Sequence, residues 1–180
     1  MKTYYREMNH ILTKTHQKID RFTEVLGNAI AWFTAFMVVI MLSIVLLRYG
    51  FNIGWIAMQE SALYLHAFVF MLGCSYTLKH NGHVRVDIFY RNFSPKKQAW
   101  VNLLGCLLLL IPVTIFISVM SFDYVASSWH VMEGSREAGG LPGVFILKSL
   151  IPLLSFTLII QAISEMLKAI EIILGKSQIN

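Results

Sequence analysis

Three ionisable residues stand inside otherwise apolar runs of this chain: Glu60, His66 and Lys148. A charged side chain at the centre of a membrane helix costs roughly 2.5–3.5 kcal/mol on insertion scales, so each needs a reason to be there. Glu60 lies shortly inside one end of its run, Lys148 lies at a similar depth in another, and Arg48 closes the same end of a third. All three fall toward one leaflet, where Glu60 is expected to pair with Lys148 or Arg48, within the chain or across an interface. The alternative for the two cations is that they snorkel to the headgroups. A single carboxylate could also relay a proton, but no chain of partners accompanies it.

Other chemistries find less support. Haem-binding bundles take axial ligands from their spans, commonly paired histidines. Of the six histidines only His66 is well inside a span, with His80, His83 and His130 near or past span ends. No GxGxxG, P-loop, GxSxG or HExxH pattern is present. Cys74 and Cys106 fall in apolar runs without CxxC or Cys/His spacing, and read as small buried hydrophobes. The expectation is a protein that is not an enzyme and carries no cofactor or metal.

The elements that position these residues follow from composition. Of 180 residues, 56% are hydrophobic and 14% charged, a balance that requires lipid as part of the solvent. About 20 apolar residues cross a hydrocarbon core of roughly 30 Å. The expected fold is an all-α integral membrane protein, one domain over 1–180. Four transmembrane helices are read at 25–48, 55–78, 99–122 and 141–167. Around them lie an N-terminal segment 1–24, a loop 79–98, a connection 123–140 and a tail 168–180. The first run is too long, and too far from the start, for a signal h-region, so it reads as a retained anchor. Trp55 opens the second span at headgroup level. Ser94 and Pro95 form an N-cap and first helical position ahead of the third, and Pro112 predicts a kink there.

Net charge is +5, and its placement argues against nucleic acid. Lys2, Arg6, Lys14, Lys18 and Arg21 precede the first span, Lys79, Arg85, Arg91, Lys96 and Lys97 follow the second, and Lys168 and Lys176 follow the fourth. Only Arg48, Arg136 and Lys148 belong to the other side, so the positive-inside rule predicts both termini in the cytoplasm. Two amphipathic segments flank the spans. Met8, Ile11, Leu12, Ile19 and Phe22 recur at helical spacing, as do Val86, Phe89, Tyr90 and Phe93, with Asp87 and Arg91 at i, i+4. Both are expected to lie in the interface as helices. The alternation Val84, Val86, Ile88 would instead suit a short strand held out of the bilayer. Gly73 with Ser75, and Gly105, are the positions where helices could approach closely.

Three stretches together carry a family resemblance: Trp55-Ile-Ala-Met-Gln-Glu60 opening span two, Gly82-His83-Val84-Arg85-Val86-Asp87 followed by Ser94-Pro-Lys-Lys97, and Gly139-Gly140-Leu141-Pro142 leading into Lys148 and Pro152. On four spans in a chain of this length they resemble the small, Q-type (DctQ-like) membrane subunit of tripartite ATP-independent periplasmic (TRAP) transporters. The resemblance covers the chain from span one to span four. It implies a scaffold subunit of the bacterial inner membrane. Its partners would be a large polytopic subunit bearing the Na⁺ and substrate sites and a soluble periplasmic protein that captures an organic acid-like solute. Under it, Gly139, Gly140 and Pro142 would shape the outer connection, Glu133, Arg136 and Glu137 would meet the periplasmic partner, and Arg85 and Asp87 would fix the inner loop or an inter-subunit edge. Two other classes stay open at this point: a stand-alone small channel or transporter, and an anchor or cytochrome-type subunit of a redox complex.

Overall fold

The computed structural model describes residues 2–84 and 87–175. Arg85, Val86 and Lys176 lie outside the described residues, as do the side chains of Lys2, Arg6, Met8 and Asp87. The described chain is helical throughout: α1 (Lys2–Phe51), α2 (Ile56–Lys79), the single turn α3 (Asp87–Tyr90), α4 (Pro95–Gly105), a π-helical turn (Cys106–Leu110), α5 (Ile111–His130) and α6 (Val144–Ile173). Four helices are long and apolar enough to cross a membrane, counting Pro95–His130 as one. The connections 52–55 and 131–143 lie at one end of the bundle, here called the connection end. The 80–94 loop, the first turns of α1 and the last turns of α6 lie at the other, the terminal end.

The packing is inverted relative to a soluble domain. Most buried positions are small or polar, among them Ala62, Ser75, Ala99, Ser155, Ala162, Ser164 and Ala169, with Leu150, Ile30 and Val125 as the larger apolar exceptions. Large apolar side chains such as Trp32, Phe36, Phe70 and Phe116 stand outside, more than half exposed. Small residues let helix backbones close together where lipid removes any hydrophobic drive between them, and the large ones meet the acyl chains. α6 lies at the centre, in contact with α1, α2, α4 and α5.

Several expectations are refined by the structure. The segment before the first span is helical and continuous with it. At 1.5 Å per residue, the 50 residues of α1 extend about 75 Å, far more than a hydrocarbon core. The extra length runs beside the last turns of α6. Beyond span two no strand forms among the described residues. Asp87–Tyr90 is helical, with Ile88 and Phe89 exposed and the Tyr90 hydroxyl 3.0 Å from the Asn102 amide. Ser94 takes the N-cap position with Pro95 after it, but its carbonyl, not its hydroxyl, accepts the first bond, from Gln98 N at 2.9 Å.

Pro112 acts through the turn before it. Proline offers no N–H to the carbonyl four residues back. The preceding turn widens into the π form, with Ile111 N donating to Cys106 O, and the helix continues.

Within the chain, the close-approach glycine is not one of those expected. A Cβ added at Gly73 or Gly105 would meet nothing within 4 Å. At Gly27 it would lie 2.2 Å from the Tyr76 ring, so the absent side chain is what seats α2 against α1.

Candidate functional site

At the connection end, Glu60 on the second turn of α2 is the fixed point. Its carboxylate accepts a hydrogen bond from the Ser135 hydroxyl and another from the Leu141 backbone N–H, the latter at 2.6 Å. The Ser135 hydroxyl in turn accepts from Glu137 N at 3.1 Å, and Ser135 N donates to Leu141 O at 2.9 Å. One side chain therefore ties both limbs of the 131–143 connection to α2. Two glycines make this possible. Gly139 has φ +81°, a left-handed conformation that a Cβ disfavours. Gly140 lies against the carboxylate: an added Cβ would come within 2.5 Å of Ser135 Cβ and 2.8 Å of Glu60 Oε2. Pro142 backs the other limb, its Cα 3.4 Å from a Cβ placed on Gly134.

Within the chain, the expected pairing of Glu60 with Lys148 or Arg48 is corrected here. Lys148 on the second turn of α6 pairs with Glu133, and its ammonium sits 4.0 Å from the Tyr124 ring centre. Glu133 also accepts from the Ser128 hydroxyl at 2.7 Å, and its backbone N–H donates to Ser128 O at 3.0 Å. The reason is geometric. The 131–143 connection folds back over the helix ends and brings a nearer carboxylate to Lys148, while its own N–H and O–H groups satisfy Glu60. Arg48 lies apart, beside Asn52, Gly54 and Gln59 in a shallow cavity. Trp129 completes the cap by donating from Nε1 to the Ser149 hydroxyl at 2.7 Å and meeting Phe145 edge-on. What remains outward is the tip: Arg136, Glu137 and Gly139 are exposed. Trp55 is also exposed at this end, at the N-cap of α2.

Glu133 lies outside the helices. The Lys148 ammonium, first, and the Ser128 hydroxyl, second, hold its carboxyl below the ordinary glutamate value against the opposing effect of desolvation, with a smaller pull from Arg136. A carboxyl held low when folded contributes stability that is complete above its unfolded value and is lost as pH falls through its folded one. The acid side of the stability profile, from about pH 4.3 downward, is therefore expected to flatten in Glu133→Gln relative to the unmodified protein. Melting temperatures across that range check it.

The terminal end holds a second polar cluster, between α1 and α6, that the sequence reading missed. Gln161, fully buried, donates to Asp20 at 3.1 Å and to Glu165 at 3.0 Å, and accepts from the Thr23 hydroxyl at 2.7 Å. Ser164, also fully buried, donates to Asp20 at 2.7 Å. Lys168 bridges Asp20 at 2.9 Å and Glu165 at 2.8 Å. Farther along, Glu171 accepts from Thr13 at 2.6 Å and lies 3.4 Å from His16 Nε2. The signal was present: Gln161, Ser164, Glu165 and Lys168 recur at three- and four-residue steps on one face, as do Thr13, His16, Asp20 and Thr23. Nearby, Glu24 of α1 pairs with Lys79 at the end of α2 and lies 3.1 Å from His80 Nε2. His83 folds back to the Cys74 carbonyl at 3.2 Å, while His66 is exposed and stacks on Phe70.

Neither cluster has the layout of a transport or catalytic centre. Both fasten helices together, one at each end of the bundle, and between them the buried positions are mostly small residues and hydroxyls such as Thr114, Ser155 and Thr157. Residues 37–171 match the family model described as tripartite ATP-independent periplasmic transporters, DctQ component. A curated relative, the C4-dicarboxylate TRAP transporter small permease protein DctQ of Vibrio cholerae serotype O1, is 24% identical over 126 residues, covering 69% of this chain and 52% of the relative. The chain thus spans about half the length of the curated relative it matches. No solved structure matches it. With three-quarters of its length on the family model and four apolar helices around a small, polar core, the chain belongs to the DctQ-component family of tripartite ATP-independent periplasmic transporters, a multi-pass inner-membrane transporter component and not an enzyme.

Proposed function

We propose that this chain is the fixed scaffold subunit of a TRAP-type secondary transporter. Its partners are a large polytopic membrane subunit and a periplasmic substrate-binding protein, and the assembly drives uptake of an organic acid-like solute with Na⁺. Both termini face the cytoplasm, because the Lys and Arg residues gather at the terminal end and leave Arg48, Arg136 and Lys148 at the other. The connection end is then periplasmic. The observation that carries the reading is the Glu60 clamp: a buttressed, rigid connection that presents Arg136 and Glu137 outward is suited to receiving a soluble partner. A preordered surface avoids the cost of ordering a loop on binding. The absence of paired interrupted helices among the described spans fits a supporting role, since secondary transporters build their sites from such breaks.

The test is charge reversal at the exposed tip. Arg136→Glu is expected to slow docking of the purified binding protein on the membrane complex about tenfold at low salt, with the difference shrinking as salt rises. Complex assembly and melting temperature should not change. Unaltered docking kinetics would remove the connection from the docking surface.

A further inference from the structure

At the terminal end a cavity of about 560 Å³ opens between the loop after α2, the first turns of α4 and the last turns of α6. Sites for small molecules and headgroups commonly measure roughly 300–1,000 Å³. Its polar wall comprises Asn81, Arg91, Gln98, Asn102 and Lys168, and Ala99 and Ile172 contribute apolar surface. Gln98 uses one amide hydrogen on the Tyr90 carbonyl at 3.1 Å, and Asn102 uses one on the Tyr90 hydroxyl at 3.0 Å. Each amide nitrogen carries a second. The carboxylate in the wall, Glu165, accepts from Lys168 and Gln161, and Lys168 is shared with Asp20, so the cation the wall offers a ligand is Arg91. Arg91, exposed in the turn after α3, brings a guanidinium fork suited to a phosphate.

The cavity lies at the depth where α2 ends and α4 begins, between apolar helix and polar loop. Below it the same side of the helix continues as an open apolar face. Gly105 stands two turns on from Gln98, and a Cβ there would meet open space. Val101, Leu108 and Leu109 border that space and are exposed. A polar, cation-bearing pocket above an open apolar track matches an amphiphile with a phosphate at one end. Pockets of basic residues between membrane helices bind such headgroups.

We propose that this cavity binds the phosphate-bearing headgroup of an anionic phospholipid, with Arg91 as its main contact and an acyl chain lying along the open apolar face beside Gly105. The proposal stands apart from the scaffold role and would survive its failure.

The test is native mass spectrometry of the purified full chain. It is titrated with phosphatidylglycerol, with phosphatidylcholine of the same chains, and with inorganic phosphate. The protein should retain phosphatidylglycerol over phosphatidylcholine, and Arg91→Gln should lower that retention about fivefold. Arg136→Gln, at the opposite end, should leave it unchanged. Gly105→Leu fills open space without touching the headgroup wall, and should lower retention of the lipid but not of inorganic phosphate. Melting temperatures confirm that each variant is folded. Equal retention of the two lipids, or no loss in Arg91→Gln, would overturn the proposal. Inorganic phosphate binding as well as the lipid, with Gly105→Leu silent, would keep the phosphate chemistry and overturn the lipid as its source.

Discussion

Replacing Glu60 with alanine is expected to release the 131–143 connection and abolish productive docking of the soluble partner while the four spans stay assembled. The clamp consists of two hydrogen bonds to one carboxylate, from Ser135 and from Leu141 N–H, and no other side chain bonds both limbs among the described contacts. The glutamine variant separates charge from shape. Its amide oxygen can still accept from Ser135, but its NH₂ would face the Leu141 N–H, donor against donor. Glu60→Gln should therefore fall between the unmodified protein and Glu60→Ala. Amide hydrogen exchange reads this directly. Protection at Ser135, Gly140 and Leu141 is expected to drop on the order of tenfold in the alanine variant, with the α5 and α6 amides unaffected. Retained protection would show that the connection is held by its own backbone bonds and by Glu133. Uptake in the reconstituted system should fall with the exchange result, because a mobile connection must be ordered at each encounter.

The second large effect is expected at the other end. Gln161→Leu keeps the volume of a fully buried side chain and removes its three hydrogen bonds to Thr23, Asp20 and Glu165. A buried polar group left without a partner costs about 1–3 kcal/mol. Interhelical bonds in bilayers average about 0.6 kcal/mol, since the separated helices find other partners. Asp20 keeps Ser164 and Lys168, and Glu165 keeps Lys168, so the burden falls mainly on the Thr23 hydroxyl, which is 1% exposed. A loss of about 2 kcal/mol follows. Thermal unfolding in mild detergent should show the α1–α6 contact opening first, and Thr23→Val in the same chain should restore part of the loss, because it removes the stranded hydroxyl. A melting temperature unchanged by Gln161→Leu would mean that the cluster is already hydrated.

The sequence made the spans legible because lipid imposes one strong requirement, an apolar run long enough to cross, and four such runs are present. It also singled out the residues whose presence in those runs needed a cause, Glu60, His66 and Lys148; Glu60 and Lys148 hold the 131–143 connection, while His66 is exposed and stacks on Phe70. The partners of Glu60 and Lys148 were not legible. Ser135, Glu133 and the Leu141 N–H belong to a connection whose path depends on Gly139 and Gly140, and chain spacing does not show which limb folds over which helix. The α1–α6 cluster was missed for a different reason. Asp20, Thr23, Gln161, Ser164 and Lys168 lie beyond or at the ends of the apolar runs, where a polar residue attracts no notice. Only matching one helical face against another would have joined them. Within the chain Gly73 and Gly105 seat no helix, while Ser75 is buried. A glycine in a span marks a possible close approach, and the structure places the actual one at Gly27, under the Tyr76 ring. Pro112 was read as a kink, and the structure places a π-helical turn, Cys106–Leu110, just before it.

The scaffold assignment rests on a partner, and the partner is what should be sought first. The chain, tagged at its C-terminus and extracted from its native membrane in mild detergent, can be analysed for co-purifying proteins by mass spectrometry, with a visible spectrum of the same sample. The scaffold reading predicts a colourless, near-stoichiometric complex with one much larger polytopic membrane protein. A chain that purifies alone, or with a haem absorbance, would contradict it.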